Sequence, residues 1–255
     1  MRYVRYQPGF LEPKYGWILD DMLGELEGSP FGAYRRMEAD TPLSKVRLLA
    51  PVLPGKIVGV VQNFVKPAPE VGDELPQIPS IYFKPPSSVI GTGQPIVLPP
   101  QSRQIEHEVQ LAVVIGRTGR WITSEKAKNF IFGYTIATNV IARDLQKFDH
   151  QEVRAYSFDT FLSLGPWLET ELDVTDLLLT CRVKEELRQM ASTREMIFTI
   201  PQLIAFVSSI MTLNPGDVIL TGTPAGSGML SPGDSVQSSI EGIGDLVNSV
   251  VSEPS

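Results

Sequence analysis

Glu106-His107-Glu108-Val109-Gln110-Leu111-Ala112-Val113-Val114-Ile115-Gly116 begins polar, turns wholly apolar and stops at a glycine. Residues 108–115 read as a strand that runs into a core. Side chains of a strand alternate between faces, so Glu106, Glu108 and Gln110 share one face and His107 takes the other. Working outward, further short apolar runs at 56–61, 81–83, 96–98, 134–141, 180–183, 217–221 and 235–240 are strand candidates. The 21 glycines and 21 prolines fall between such runs and not in one linker. Two helices stand out. Ser124 can cap a short one through residues 126–130. Pro201 suits the first turn of another, whose apolar stripe is Leu203, Ile204, Val207, Ile210 and Met211 and which ends at Asn214-Pro215-Gly216. Upstream, 2–6 and 15–19 are strand-like, Gly24 reads as a break and 28–32 as a turn, and 46–52 leads through Pro54-Gly55 into the run at 56–61. The expected class is α+β, mostly β and mainly antiparallel, with a small N-terminal β domain (1–52) ahead of the main domain (53–255).

The 255 residues are 42% hydrophobic, enough for a sizeable core, and carry a net charge of −7. That charge excludes nucleic acid as the expected partner, because phosphate binding needs a basic face. No run of about 18 apolar residues exists, so no membrane partner is expected. The start lacks the apolar stretch of a secretory signal, and Cys181 has no cysteine to pair with, so a reducing cytoplasm is the expected location. With only two histidines, His107 and His150, a three-histidine metal site is excluded by counting. No G-x-S-x-G, H-E-x-x-H or phosphate-cradling loop is present.

Several segments together resemble the fumarylacetoacetate hydrolase family. They are Lys56 to Phe64, Tyr82-Phe83-Lys84-Pro85-Pro86-Ser87-Ser88-Val89-Ile90-Gly91, Glu108 to Gly116, Gly133-Tyr134-Thr135 and Ala142-Arg143-Asp144-Leu145-Gln146. Ser157-Phe158-Asp159-Thr160, Leu164-Gly165-Pro166-Trp167, Pro215 to Pro224 and Ile240-Glu241-Gly242-Ile243-Gly244 follow in the family's order. The first 50 or so residues resemble the N-terminal domain of bacterial 2-hydroxyhepta-2,4-diene-1,7-dioate isomerase-like members. The resemblance implies a mixed β-sandwich roll with a small N-terminal β appendage, a homodimer, and activity on 2-oxo or β-dicarbonyl acids. It also implies Mg²⁺ or another divalent cation that chelates the substrate's oxygens and stabilises an enolate.

By that resemblance the metal positions are Glu108, Gln110 and Asn139, where relatives carry three carboxylates. Two of them are amides here. At an effective dielectric near 20, a carboxylate about 2 Å from a divalent ion contributes roughly 16 kcal/mol gross before desolvation. Mg²⁺ prefers charged oxygen, so a weakened or empty site is expected, or else a polar cluster held by hydrogen bonds. A site shifted onto Glu106 is conceivable; the alternative is a solvated Glu106. The family's tyrosine and histidine after the first strand fall on Phe64 and Pro67, with Glu70 at the position of the glutamate that orients the histidine, so the water-activating dyad is missing. The lysine before S-F-D-T is Tyr156, and a serine position is Ile141. Arg143, Gln146, Thr223 and Lys84 match substrate-holding positions, although Arg143 and Lys84 could instead pair with Asp144 or Asp159. His107 suits packing, His150 sits in a loop or lid, and Cys181 is an inert apolar thiol.

The expected catalytic residues are therefore Glu108, Arg143 and Tyr156, with Lys84, Gln146 and Thr223 binding a small-molecule organic acid. Isomerase, tautomerase or decarboxylase chemistry is expected before C–C hydrolysis. The alternative is a non-catalytic binder or a structural partner of an active paralogue.

Overall fold

The structure is a computed structural model and describes residues 1–65 and 74–253. At its centre lies the strand Ile105–Ile115, flanked antiparallel by Ile131–Ala142 on one side and Val218–Leu220 on the other. Valine, isoleucine and leucine fill its second half and are fully buried on both faces, which is what β-branched residues on a covered pleated surface favour. It starts earlier than the sequence suggests, because Gly228–Met229 pairs with Glu106 and His107 and so extends the ladder past the apolar run.

Thirteen strands form the large sheet. Its main path runs from Tyr34–Pro42 through Met22–Gly28, Lys14–Leu19, Arg2–Gln7 and Leu162–Glu169 to the central strands, then through Ile57–Val61 to Ser80–Lys84. Val218–Leu220 runs parallel to Ile57–Val61, so the sheet is mixed. A second, five-stranded sheet follows the order Glu186–Ser192, Leu178–Val183, Ser235–Ile240, Gly244–Ser252 and Ile96–Leu98. The fold is mostly β with two mixed sheets, as the sequence leads one to expect.

The main core joins Leu111, Val113 and Ile136 of the large sheet to Leu179, Ile240 and Leu246 of the small one. Helix Ile200–Ile210 closes that core with Leu203, Ile204 and Val207, each contributing about 1.5–3 kcal/mol by burial. Pro201 sits in its first turn, and Gln202 accepts a hydrogen bond from the Thr199 backbone N–H ahead of it. Residues 1–52 are not held at a distance: Arg2 lies opposite Glu169, which stitches their strands onto the large sheet.

Three local expectations change. Gly24 is no break but lies inside Met22–Gly28, at a bulge where an added Cβ would meet the Trp17 ring at 2.3 Å. Ser124–Phe130 is a 3₁₀ helix whose cap residue is Thr123, not Ser124. Of the polar stretch 147–152, which reads as a loop or lid, residues 147–149 end the short helix Arg143–Asp149, and a second short helix, Val153–Tyr156, follows 150–152. Among the described residues no helix is long and apolar enough to cross a membrane.

Candidate active site

The two central strands set the site. In their register Glu108 stands opposite Asn139, with Gln110 two residues further along the same face. All three are buried, and Glu108 is the hub. Its Oε2 accepts from Asn139 Nδ2 at 2.8 Å and from Gln110 Nε2 at 3.1 Å. Its Oε1 accepts from Arg143 Nη2 at 3.1 Å. Gln110 Oε1 is tied back to the Gly222 N–H at 2.9 Å. Asn139 Nδ2 also donates to the Tyr82 hydroxyl at 2.9 Å, whereas Asn139 Oδ1 has no partner.

Arg143, the first residue of the unforeseen helix, bridges the hub to its rim. Its Nε donates to Glu106 Oε2 at 2.9 Å and its Nη1 to Gln146 Oε1 at 2.9 Å. Gln146 in turn donates to both oxygens of Glu152, at 3.0 and 2.8 Å, which fixes its carbonyl toward Arg143. Burial disfavours the Arg143 charge, but the carboxylates of Glu108 and Glu106 outweigh it and raise the pKa. Glu106 is thus no solvated strand end: its side chain is 12% exposed and also accepts from Gln104 at 2.7 Å. Asp144 does not pair with Arg143 but takes the Ser102 hydroxyl and the Arg103 N–H.

Beneath this rim the Tyr82 and Tyr156 rings stack with centroids 3.9 Å apart. Burial, reinforced by the negative charge of Glu108, raises both phenols far above their ordinary range and keeps them protonated. Lys84 is buried with its Nζ 5.0 Å from the Tyr156 ring centre, and it donates to the Val140 carbonyl at 3.2 Å. Its partner is therefore neither Asp144 nor Asp159. Burial lowers its pKa well below that of an ordinary lysine, with Glu108 opposing.

Thr223 stands apart from Arg143. It lines a cleft of about 600 Å³ together with Gln62, Phe64, Leu75, Ile197 and Pro224. Its hydroxyl donates to the Val109 carbonyl and accepts from Gln189. The cleft touches the hub through the neighbouring Gly222 N–H on Gln110. Pro67 and Glu70 lie outside the described residues, and Ile141 is fully buried against Tyr82 and Tyr156.

The remaining candidates lie elsewhere. His107 is buried on the opposite face with Nδ1 3.4 Å from the Cys181 sulfur, and burial lowers its pKa. Burial also pushes the Cys181 thiol up to about 12. His150 ends its helix in a left-handed turn and is exposed. Tyr82, Gln189 and Glu152 join the site without having stood out in the sequence; Tyr82 sat within a quoted motif, and Glu152 gave no local signal.

Sequence comparison agrees with the segment order. The fumarylacetoacetate (FAA) hydrolase C-terminal family profile matches residues 56–251. The chain belongs to this family. An N-terminal profile named Rv2993c-like matches residues 1–51. The chain is 43% identical over 256 residues to the mitochondrial oxaloacetate tautomerase FAHD2A of Homo sapiens, covering 94% of this chain and 82% of that one. The 2-hydroxyhepta-2,4-diene-1,7-dioate isomerase of Mycobacterium marinum superimposes with a TM-score of 0.92 at 38% identity, covering 100% of both chains. Maleylpyruvate hydrolase from Sphingobium sp. SYK-6, in complex with manganese(II) ion and pyruvate, superimposes with a TM-score of 0.82 at 28% identity, covering 100% of both.

A divalent cation, such as the manganese(II) in the maleylpyruvate hydrolase structure, is not matched by the donors of this chain. Gln110 and Asn139 turn N–H groups, not oxygens, toward Glu108, and Arg143 already brings a positive charge to that carboxylate. Asn139 Oδ1 is the one unengaged oxygen of the trio's amides. Among the described residues no group of three or more His, Cys, Asp or Glu side chains gathers where it could hold a metal.

Proposed function

We propose that this chain is an isomerase- or tautomerase-type enzyme that shifts a proton within an enolisable 2-oxo or β-dicarbonyl acid. The observation that carries the reading is Arg143, held on three sides by Glu106, Glu108 and Gln146. Those bonds use Nε and one N–H of each terminal nitrogen, leaving a further N–H on each for a substrate carboxylate. The guanidinium is immobilised before substrate arrives, so little ordering is required on binding. Next to it stand a carboxylate, Glu108, and a protonated phenol, Tyr156, the pairing that a proton shift between carbon and oxygen needs. In the keto-to-enol direction Glu108 takes the proton from carbon as the C–H electrons become the C=C bond, and Tyr156 gives its phenolic proton to the carbonyl oxygen. A proton returned from Glu108 to Tyr156 through solvent resets both groups, and the enol-to-keto direction runs the same steps backward. Lys84 and Gln146 maintain the charge and geometry around the acid, and Thr223 marks where its distal end lies in the cleft.

The names of the human tautomerase and the mycobacterial isomerase support this reading. C–C hydrolysis needs an activated water, and neither Phe64 nor Pro67 can supply the base for it. The proposal includes a homodimer acting in the cytoplasm on a small organic acid.

The test follows the near-ultraviolet absorbance of enol-oxaloacetate, and of related enolisable acids, after protein is added. We expect acceleration over buffer, and a loss on the order of 10²-fold in Tyr156→Phe and Arg143→Ala. If no acid in such a panel reacts faster, or if cleavage products accumulate in place of the keto form, the reading fails.

A further inference from the structure

We propose that the Glu108 centre works without a bound metal, as a carboxylate clamped by two amides and a guanidinium. The catalytic part of this inference rests on the proposed isomerase reading; the binding part stands by itself. The orientation of both amides is over-determined. Gln110 Oε1 accepts from the Gly222 backbone N–H at 2.9 Å, and that places its Nε2 on Glu108. Turned over, Gln110 would set N–H against N–H on one side and oxygen against carboxylate on the other. Asn139 Nδ2 lies between Glu108 Oε2 at 2.8 Å and the Tyr82 hydroxyl at 2.9 Å. Turned over, it would bring Oδ1 against the same carboxylate oxygen.

Glu108 is therefore surrounded by donors. Its Oε2 takes two amide N–H bonds and its Oε1 takes Arg143. A divalent ion entering here would have to rotate both amides, break the Gly222 bond and settle beside a guanidinium that Glu106 and Gln146 hold in place. Each of these changes opposes binding. Glu108 is 5% exposed at the side chain, so water does little to soften the repulsion. What a cation would supply, compensation of a buried carboxylate, is already supplied by protein N–H groups. Glu108 is left as a fixed anion that aims Arg143 and keeps an open lone pair on Oε1 for the proton it takes in the proposed reaction.

The experiment is calorimetric titration of chelator-treated full-length protein with MgCl₂ and, separately, MnCl₂. Wild type is expected to give no saturable heat up to millimolar metal. Gln110→Glu/Asn139→Asp is expected to bind Mn²⁺ at least about 100-fold more tightly than wild type. Circular dichroism checks that the double variant is folded, and Asn139→Asp alone replaces it if it is not. Micromolar binding by wild type that Glu108→Gln abolishes overturns the proposal. So does a folded double variant that binds no better than wild type, since the amides would then not be what excludes the ion. The catalytic arm compares chelated and Mg²⁺-supplemented wild type with enol-oxaloacetate. Equal rates support metal independence, and a rate restored only by Mg²⁺ overturns it while leaving the isomerase reading intact. No rate in either sample overturns the isomerase reading, and the titration still decides the metal.

Discussion

Replacing Arg143 by methionine keeps the length and apolar stem of the side chain and removes its charge. The loss falls on two carboxylates that have little water to turn to: Glu106 is 12% and Glu108 5% exposed at the side chain. Three hydrogen bonds involving charged groups disappear with it. Breaking a fully buried ion pair by removing one partner costs about 3–5 kcal/mol. Arg143 itself is 23% exposed, so solvent screens part of this, and about 2–4 kcal/mol is the expected loss. For a chain of this length that lowers Tm by about 5–15 °C. Arg143→Lys restores a charge but not the planar fork that spans Glu106, Glu108 and Gln146, so its stability falls between wild type and Arg143→Met. Arg143→Met/Glu108→Gln removes the charge that the first substitution strands, so the pair costs less than the sum of the two by at least about 1 kcal/mol. Urea unfolding followed by circular dichroism measures all five proteins: wild type, Arg143→Met, Arg143→Lys, Glu108→Gln and the double variant. An Arg143→Met variant within about 0.5 kcal/mol of wild type, or a cycle with no coupling, refutes the placement of Arg143 as the counter-charge of this carboxylate pair.

Two further substitutions probe what positions the site. Gly59→Ala puts a Cβ 2.0 Å from the Tyr82 ring, and stacking on Tyr156 leaves that ring no room to retreat; urea unfolding should show a loss of about 3 kcal/mol or more, and a loss below about 1 kcal/mol would contradict the packing. Asp144 holds the start of the Arg143–Asp149 helix, and although burial raises its pKa, the Ser102 hydroxyl and the Arg103 and Leu145 N–H groups more than offset this and lower it. Since the folded value lies below the unfolded one, Asp144 contributes stability above about pH 4 and loses it as pH falls through the folded value. The stability gap between wild type and Asp144→Asn should be constant near neutrality and close only below about pH 4 in a pH series of urea melts, and a gap that grows on acidification would refute the assignment.

The central strand and its partners were readable because apolar β-branched runs bounded by glycine and proline have few other uses. The alternation rule alone put Glu106, Glu108 and Gln110 on one face, and the register with Asn139 then completed the hub. What stayed hidden depended on contacts far along the chain. The helices at 143–156 are too short to show an apolar stripe: Arg143 ties the first to Glu106 and Glu108, and Ala155 and Tyr156 bury the second against Tyr82 and Ile141. Gly24 looked like a break, but it pairs with Trp17 on the neighbouring hairpin strand and makes room for that ring, which only the hairpin register reveals. Gln189 reaches Val109, Thr223 and Pro224 from the other sheet, a link of 80 positions to Val109 that no local pattern encodes.

Whether the two amides mark a decayed site or a rebuilt one is decided by charge. By the resemblance Gln110 and Asn139 stand where relatives carry carboxylates. Exchanging two carboxylates for amides removes two negative charges, which matches in size the charge of a departing divalent cation, so such an exchange leaves the net charge of the centre unchanged. Decay that removed only the ion would leave Glu108 buried and uncompensated, at a cost of several kcal/mol. Here each Glu108 oxygen has a donor, the amide on Oε2 from Gln110 is pinned by a backbone N–H from another strand's turn, and the amide from Asn139 also reaches the Tyr82 hydroxyl. A buried network in which both Glu108 oxygens have donors, with Asn139 Oδ1 its one open oxygen, gains its stability from its members jointly, so a single change to one of them is penalised. Under the proposed function, the groups that this network holds in place are Arg143 and Glu108, with Tyr156 beside them.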